Sequence, residues 1–317
     1  MKIVLLEPLG VPQELVNQLS QRLTERGHTF VSYDTVETDP EGLYARAADA
    51  DVLMLANHPL PGEVIDRCEK LKYISVAFVG IDHIGKEACL RRGIHISNAA
   101  GYCSDAVGEL ALGLALDCLR NISACSEAVR HGGTKAGLVG HELRGRTVGI
   151  IGTGDTGCRT AELYKAFGCK LLGYSRSRRP RALELGVEYV DLDALLRESD
   201  IVSVHTPLTG ETRGLLNAGR IAEMKPTALL INTARGPVVD SAALAEALNS
   251  GKIAGAGIDV FEEEPPVRED HPLLRAKNVV ATPHVAFATE ESLERRARIT
   301  FENVYAWLDG TIQNQML

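Results

Sequence analysis

Twice along the chain, short runs rich in Val and Ile alternate with amphipathic stretches of helical length. Parallel sheets covered by helices impose this rhythm, because each strand is buried on both faces and needs a long crossover to reach the next. The first set runs from Met1 to about Asn98, with strands expected at Lys2 to Leu6, His28 to Tyr33, Val52 to Leu55, Tyr73 to Ala77 and His95 to Ser97. Its helices fall near Pro12 to Arg26 and Lys86 to Arg92, with Gly27 and Gly93 as their stops. The second set begins at Thr147, with strands at Thr147 to Ile151, Lys170 to Tyr174, Ile201 to Val204, Ala228 to Asn232, Ala256 to Asp259 and Val279 to Ala281. Helices are expected between most of them, for example Thr156 to Phe167 and Ser241 to Asn249, and a last amphipathic helix spans Thr289 to Leu308. At 317 residues the chain has room for two domains. The expected fold class is therefore α/β, with two doubly wound parallel-sheet domains.

Between the sets, Ser104 to Arg130 reads as one long helix, N-capped by Ser104 or Asp105 and apolar on nearly every side through Leu119. A helix of that kind is either an ordinary core helix or one buried between domains or subunits. Gly108 and Gly113 would let another backbone come close.

Composition excludes several function classes. Lys plus Arg number 34 against 42 for Asp plus Glu, and a net charge of −8 gives no general attraction for nucleic acid or anionic lipid. The longest apolar stretch, Ala106 to Leu119, is short for a bilayer and contains Glu109 and Asp117, so no membrane partner is expected. Seven cysteines are scattered without a C-x-x-C pair or a Cys/His cluster at zinc spacing, which reads as reduced thiols and no metal. Near the N-terminus only Ile3 to Leu6 is apolar before Glu7 and Pro8, short of a signal-peptide core, so the expected location is cytoplasmic.

The segment Gly149-Ile150-Ile151-Gly152-Thr153-Gly154-Asp155-Thr156-Gly157 places G-x-G-x-x-G directly after an apolar strand and before a helical pattern. Gly152 permits the tight turn, Gly154 lets the backbone approach a pyrophosphate, and Gly157 allows close helix packing, while the helix's first amides face the anion. That context points to a dinucleotide. The end of the next strand usually carries an acid that holds the adenosine ribose of NAD. Here Tyr174 and Ser175 stand there instead, followed by Arg176, Arg178 and Arg179. Without a carboxylate to repel a 2′-phosphate, and with cations at hand, the sequence favours NADP(H), with NAD(H) as the alternative.

Three polar groups further on lie at strand ends, where ligands of open α/β sheets bind. Asn232-Thr233-Ala234-Arg235-Gly236 follows one strand, Asp259 closes the next, and His284 follows Thr282-Pro283 after the last. Hydride transfer from a dinucleotide to a carbonyl carbon also requires a proton at its oxygen, and an imidazolium suits that need. His284 is the candidate for that acid. A carboxylate beside it orients the ring and stabilises its cationic form. An arginine, with planar donors, suits a substrate carboxylate better than a lysine.

These stretches, Val148 to Gly157, Ile231 to Asp240 (I-N-T-A-R-G-P-V-V-D), Ala254 to Pro265 (A-G-A-G-I-D-V-F-E-E-E-P) and Thr282-Pro283-His284, resemble the D-isomer-specific 2-hydroxyacid dehydrogenase family nearly end to end. The resemblance implies a catalytic set of Arg235, Glu264 and His284. It implies a Rossmann dinucleotide-binding domain, about 99–284, inserted in a discontinuous flavodoxin-like substrate domain, 1–98 plus 285–317, with the active site in the cleft. Beside Gly152, Gly154 and Gly157, the implied cofactor contacts are Asp155 and Thr156, then Ser175 and Arg176, with Arg178 available to a 2′-phosphate. Thr206 and Pro207 follow, and Thr233, Ala234, Asp259 and Ala286 would surround the nicotinamide, Asp259 accepting from its carboxamide. Backbone amides of the loop Phe78-Val79-Gly80 would join Arg235 and His284 in holding the substrate. Relatives dimerise through the long helix, so a homodimer is expected.

Two departures stand out. His284-Val285-Ala286-Phe287 resembles the D-lactate dehydrogenase branch, and Phe287 could reshape the pocket; Gly85 stands where relatives commonly have Asp. The expected substrate is a small 2-oxo or 2-hydroxy acid, its identity set around Asn57, His58, Phe78 and Phe287. Glyoxylate or hydroxypyruvate is favoured because Tyr174-Ser175-Arg176-Ser177-Arg178 resembles reductases of that branch. The alternative is a nucleotide-sensing, corepressor-like binding protein on the same fold.

Overall fold

The computed structural model describes residues 1–264 and 266–317; Pro265, which ends the E-E-E-P stretch, lies outside the described residues. The chain divides into two compact units, one of residues Met1–Tyr102 and Ala288–Leu317, the other of Cys103–Phe287.

The first unit is built on five parallel strands, β1 (Lys2–Leu5), β2 (Thr29–Ser32), β3 (Val52–Leu55), β4 (Tyr73–Val76) and β5 (His95–Ser97), in the order β2-β1-β3-β4-β5. This is the flavodoxin-like order, whose switch point lies between β1 and β3. The uniformly apolar β3 is buried at every position, as a central parallel strand must be, while β2 at the edge is not. The last helix, Glu290–Leu308, starts from a capping box of Thr289 and Ser292 and packs on β4. Ser75 Oγ donates to Thr300 O at 2.9 Å, and Trp307 stacks on Tyr73 with ring centroids 5.1 Å apart.

The second unit carries seven parallel strands, β6 (Thr147–Ile151), β7 (Lys170–Tyr174), β8 (Glu188–Tyr189), β9 (Ile201–Val204), β10 (Leu229–Asn232), β11 (Gly255–Ile258) and β12 (Val279–Ala281). Their order, β12-β11-β10-β9-β6-β7-β8, is that of a Rossmann sheet extended by one strand, with the chain reversing direction between β6 and β9. Two apolar clusters cover its faces, one including Leu195, Leu216 and Leu244, the other Leu114, Tyr164 and Ile231.

Three expectations are corrected. The long helix is two helices, Ser104–Arg120 and Ile122–Arg130, broken at Asn121, which turns left-handed at φ 53°. The cause is local: Asp117 accepts from the amide and hydroxyl of Ser123 at 2.8 and 2.5 Å, pulling the chain out of the helical path. Its N-cap is Cys103, without a side-chain cap bond, so Ser104 and Asp105 already belong to the helix. The Ser104–Arg120 helix is a core helix of the second unit. Gly108 faces side chains of Arg159, Thr160 and Leu163 in the Asp155–Ala166 helix, and Gly113 meets nothing within 4 Å. The glycine that this helix needs is Gly257 on β11, where a Cβ would lie 2.7 Å from that of Leu114. With Leu114 so tightly seated, its truncation to Ala falls in the range of about 2–5 kcal/mol typical of buried leucines.

The unit boundaries also fall a few residues later than after Asn98 and His284. Asn98 N–H donates to Asn314 O and Ala99 N–H to Phe78 O, tying that segment to the first unit. The amides of Val285 and Ala286 donate to the Asp259 carboxylate, tying them to the second.

Candidate active site

The glycine turn follows β6 because three positions along it tolerate no side chain or need none. Gly152 sits at φ 94°, and a Cβ there would lie 2.5 Å from His205 O; one on Gly157 would lie 1.9 Å from Gly152 O. Gly154 opens on free space, with nothing within 4 Å. The Asp155–Ala166 helix begins at Gly154 without a side-chain cap, so its first amides keep their donors for an anion. This cradle fits a pyrophosphate. Asp155 is exposed and Thr156 half-buried.

At the end of β7, Tyr174 O accepts from Gly152 N–H at 2.8 Å, fixing the turn to its neighbour strand. Ser175 is half-buried, and Arg176, Arg178 and Arg179 are exposed. Arg181 pairs with Glu162 at 3.1 Å, but among the described residues no ion pair engages the other three arginines. Beyond β9, Thr206 is half-buried and Pro207 exposed, the latter's carbonyl accepting from Thr212 Oγ1 at 2.6 Å.

The loops leaving β10, β11 and β12 emerge from adjacent strand ends. Arg235 follows β10, half-buried, with one guanidinium nitrogen donating to Ala234 O at 2.7 Å and, among the described residues, no further guanidinium bond, which leaves donors to meet a ligand. Thr233 and Ala234 lead into it; Thr233 is buried and its hydroxyl finds no partner among the described residues. Next to Arg235, Gly236 lies against the loop after β11, for a Cβ there would be 2.1 Å from Phe261 C. Phe261 N–H in turn donates to Glu264 Oε2 at 3.0 Å, which aims the carboxylate. Glu264 Oε1 then meets His284 Nδ1 at 2.6 Å, and both side chains are largely buried, at 16% and 28% exposure. The structure thus brings Glu264 and His284 into direct contact and places Arg235 on the adjoining loop.

His284 itself sits at φ 53°, a left-handed conformation that costs a non-glycine residue on the order of 1–3 kcal/mol. Asp259 holds it there. Its backbone oxygen accepts from His284 N–H at 2.8 Å, Oδ1 accepts from Thr282 Oγ1 at 2.6 Å and Val285 N–H at 2.9 Å, and Oδ2 accepts from Ala286 N–H at 2.8 Å. Asp259 is fully buried, and burial pushes its carboxyl above the usual range against the pull of these donors. These bonds make Asp259 the brace of the turn, and Ala286, buried, gives its amide to the same bracing. Sequence reasoning missed Thr282 and Phe261 in this scaffold. A threonine just before the T-P proline, two residues from the histidine, was the available signal for the first. Phe287 meets the His284 ring edge-on, with centroids 5.7 Å apart.

In the first unit, the Phe78-Val79-Gly80 loop leaves the carboxyl end of β4. Phe78 is buried beside Tyr102 at 6.1 Å between centroids, Val79 is exposed, and its carbonyl accepts from Asn98 Nδ2 at 2.7 Å. Gly85 is explained by space: a Cβ there would lie 2.5 Å from the backbone of Gly62. An aspartate could not occupy that position without moving the Gly62 backbone.

Residues 112–286 match the family model described as D-isomer specific 2-hydroxyacid dehydrogenase, NAD binding domain. The chain belongs to the D-isomer-specific 2-hydroxyacid dehydrogenase family. It is 40% identical over 302 residues to a glyoxylate reductase of Thermococcus litoralis, covering 92% of this chain and 91% of that one. A hydroxypyruvate reductase of Blautia hydrogenotrophica is 34% identical over 297 residues, covering 91% of each chain. Among solved structures, an acyclic imino acid reductase in complex with NADPH and D-Arg is similar over the whole of both chains, with a TM-score of 0.90 and 29% identity. The chain is thus an NAD(P)-dependent oxidoreductase acting on CH–OH groups, with a Rossmann domain for a nicotinamide dinucleotide. No helix among the described residues is long and apolar enough to cross a membrane.

Proposed function

We propose that this dehydrogenase reduces glyoxylate or hydroxypyruvate with NADPH, using His284 as proton donor, Glu264 as its orienting partner and Arg235 as the anchor of the substrate carboxylate. The observation that carries the reading is the 2.6 Å contact between Glu264 and His284 Nδ1 beside the Arg235 loop. A dinucleotide whose pyrophosphate is held by the glycine turn would supply the hydride from its nicotinamide. The chain's own residues do the rest. Glu264 holds Nδ1–H and so leaves Nε2 to carry the proton that reaches the carbonyl oxygen, and in the oxidation direction the neutral ring takes that proton back. The Arg235 guanidinium pairs with the carboxylate and polarises the carbonyl. Gly152, Gly154, Asp155, Thr156 and Gly157 surround the pyrophosphate, and Ser175, Arg176 and Arg178 the adenosine ribose. Thr206, Pro207, Thr233 and Ala234 line the way to the nicotinamide.

NADPH oxidation over glyoxylate, hydroxypyruvate, pyruvate, phenylpyruvate and phosphohydroxypyruvate tests the assignment. The reading predicts the highest kcat/KM for the first two and a loss of about 10²-fold or more in kcat for His284→Ala. Absence of turnover with every oxo acid would leave the nucleotide-sensing alternative, and near-normal turnover of the variant would remove His284 from the mechanism. The protein acts as a homodimer in this reading. Support comes from the helix Ile122–Arg130, none of whose residues is buried, from its exposed Ile122 and Val129, and from exposed Val139 on a cleft of about 550 Å³ at the amino-terminal edge of the Rossmann sheet. A monomeric mass by light scattering at micromolar concentration would contradict it.

A further inference from the structure

The arginine loop after β7 has no ion pair of its own among the described residues, yet its backbone is not left to itself. Tyr189, on the edge strand β8, reaches back to it. The phenolic oxygen accepts from Arg179 N–H at 3.0 Å and shares a hydrogen bond of 2.7 Å with Thr153 Oγ1. Thr153 is the buried middle residue of the glycine turn. The same ring lies under the Arg178 guanidinium, 5.6 Å from its centroid. β7 carries Gly173 opposite Tyr189, and a Cβ there would lie 2.5 Å from Val187 Cγ1, so the glycine lets the chain entering β8, and with it Tyr189, pack close against β7. One side chain thus joins the turn that takes the pyrophosphate to the loop that carries the cations.

The geometry points to Tyr189 as a positioning residue for discrimination between NADPH and NADH. It sets the arginine loop at a fixed distance from the pyrophosphate cradle, so that Arg176 and Arg178 stand ready for a 2′-phosphate instead of being ordered at the moment of binding. The inference rests on the NADP(H) reading proposed above. Nothing in it involves the reacting atoms, so its mark is on affinity for one coenzyme and not on turnover.

The test is Tyr189→Phe, which removes the hydroxyl and keeps the ring beneath Arg178. Kinetics with NADPH and NADH are compared with calorimetric binding of adenosine 2′,5′-bisphosphate and ADP. Loss of the two hydrogen bonds should lower the NADPH:NADH ratio of kcat/KM by about five- to tenfold. The change should be carried by the NADPH KM at unchanged kcat, with the 2′,5′-bisphosphate weakened by a similar factor and ADP not. Tyr189→Ala, which also removes the ring, should lower the ratio further. An unchanged ratio, or equal losses for both coenzymes with a lowered Tm, overturns the inference and reduces Tyr189 to a packing residue while leaving the cofactor reading intact. A wild type that prefers NADH overturns both.

Discussion

His205, directly after β9, offers a stability prediction with a sign and a size. Its Nε2 lies 2.8 Å from Ser203 Oγ, its Nδ1 is shut off from solvent without a partner among the described residues, and its backbone oxygen packs against Gly152. Burial pushes the imidazole from 6.5 down to about 4. The folded state therefore binds fewer protons than the unfolded state between these two values. The contribution to stability is fully present above pH 6.5 and is lost as the pH falls towards 4, below which it changes no further. At about 1.4 kcal/mol per pH unit the interval bounds the loss at about 3 kcal/mol, and residual contact with solvent places the expected loss at about 2–3 kcal/mol. His205→Gln keeps a polar atom where Nε2 meets Ser203 but cannot take up a proton. Urea unfolding of both proteins between pH 4 and 7.5 should show the wild type losing more stability than the variant by that amount. Two-dimensional NMR of the histidine rings gives a second readout, in which the resonance absent from the variant stays neutral to pH 5. A resonance that titrates near 6.5, or identical pH profiles for the two proteins, would refute the argument.

Two further outcomes follow from the site. Gly157→Ala drives a Cβ to 1.9 Å from Gly152 O, so the turn must open, and fluorescence titration should find NADPH binding weakened more than tenfold. Asp259→Asn turns an amide group towards donors that need an acceptor; thermal and urea denaturation should report a loss of about 2–4 kcal/mol, with kcat falling as the His284 turn relaxes, and an unaltered Tm would contradict the bracing role.

Strand positions were legible because a parallel strand buried on both faces favours apolar side chains, and β3, β4 and β9, buried at every position, are apolar but for Ser75 and Ser203. The order of the strands was not legible locally. It came from family likeness, since nothing in a run such as Val52–Leu55 states which neighbour it will pair with. The break at Asn121 escaped notice for a related reason. Helical periodicity continues across it, and the interruption depends on Asp117 choosing the amide of Ser123 over solvent, a competition between backbone and side chain that periodicity does not record. The two-residue strand Glu188–Tyr189 is too short to leave a pattern, although its tyrosine joins the glycine turn to the arginine loop.

The site shows the same division more sharply. Residue types announced the chemistry: a histidine after T-P, an acid before a proline and an arginine beside a glycine are what a hydride reaction on an oxo acid needs. Their placement was written in a different way, through groups that carry no reactivity. His284 is held at φ 53° because a buried aspartate collects Thr282, Val285 and Ala286 and offers its own carbonyl to the histidine amide. Relaxing that backbone would carry the ring away from Glu264, so the strain is part of what places the proposed proton donor. A sequence displays the participants in such a turn one by one. Only the fold shows that a single carboxylate, withdrawn from solvent by the strand it follows, is shared among them.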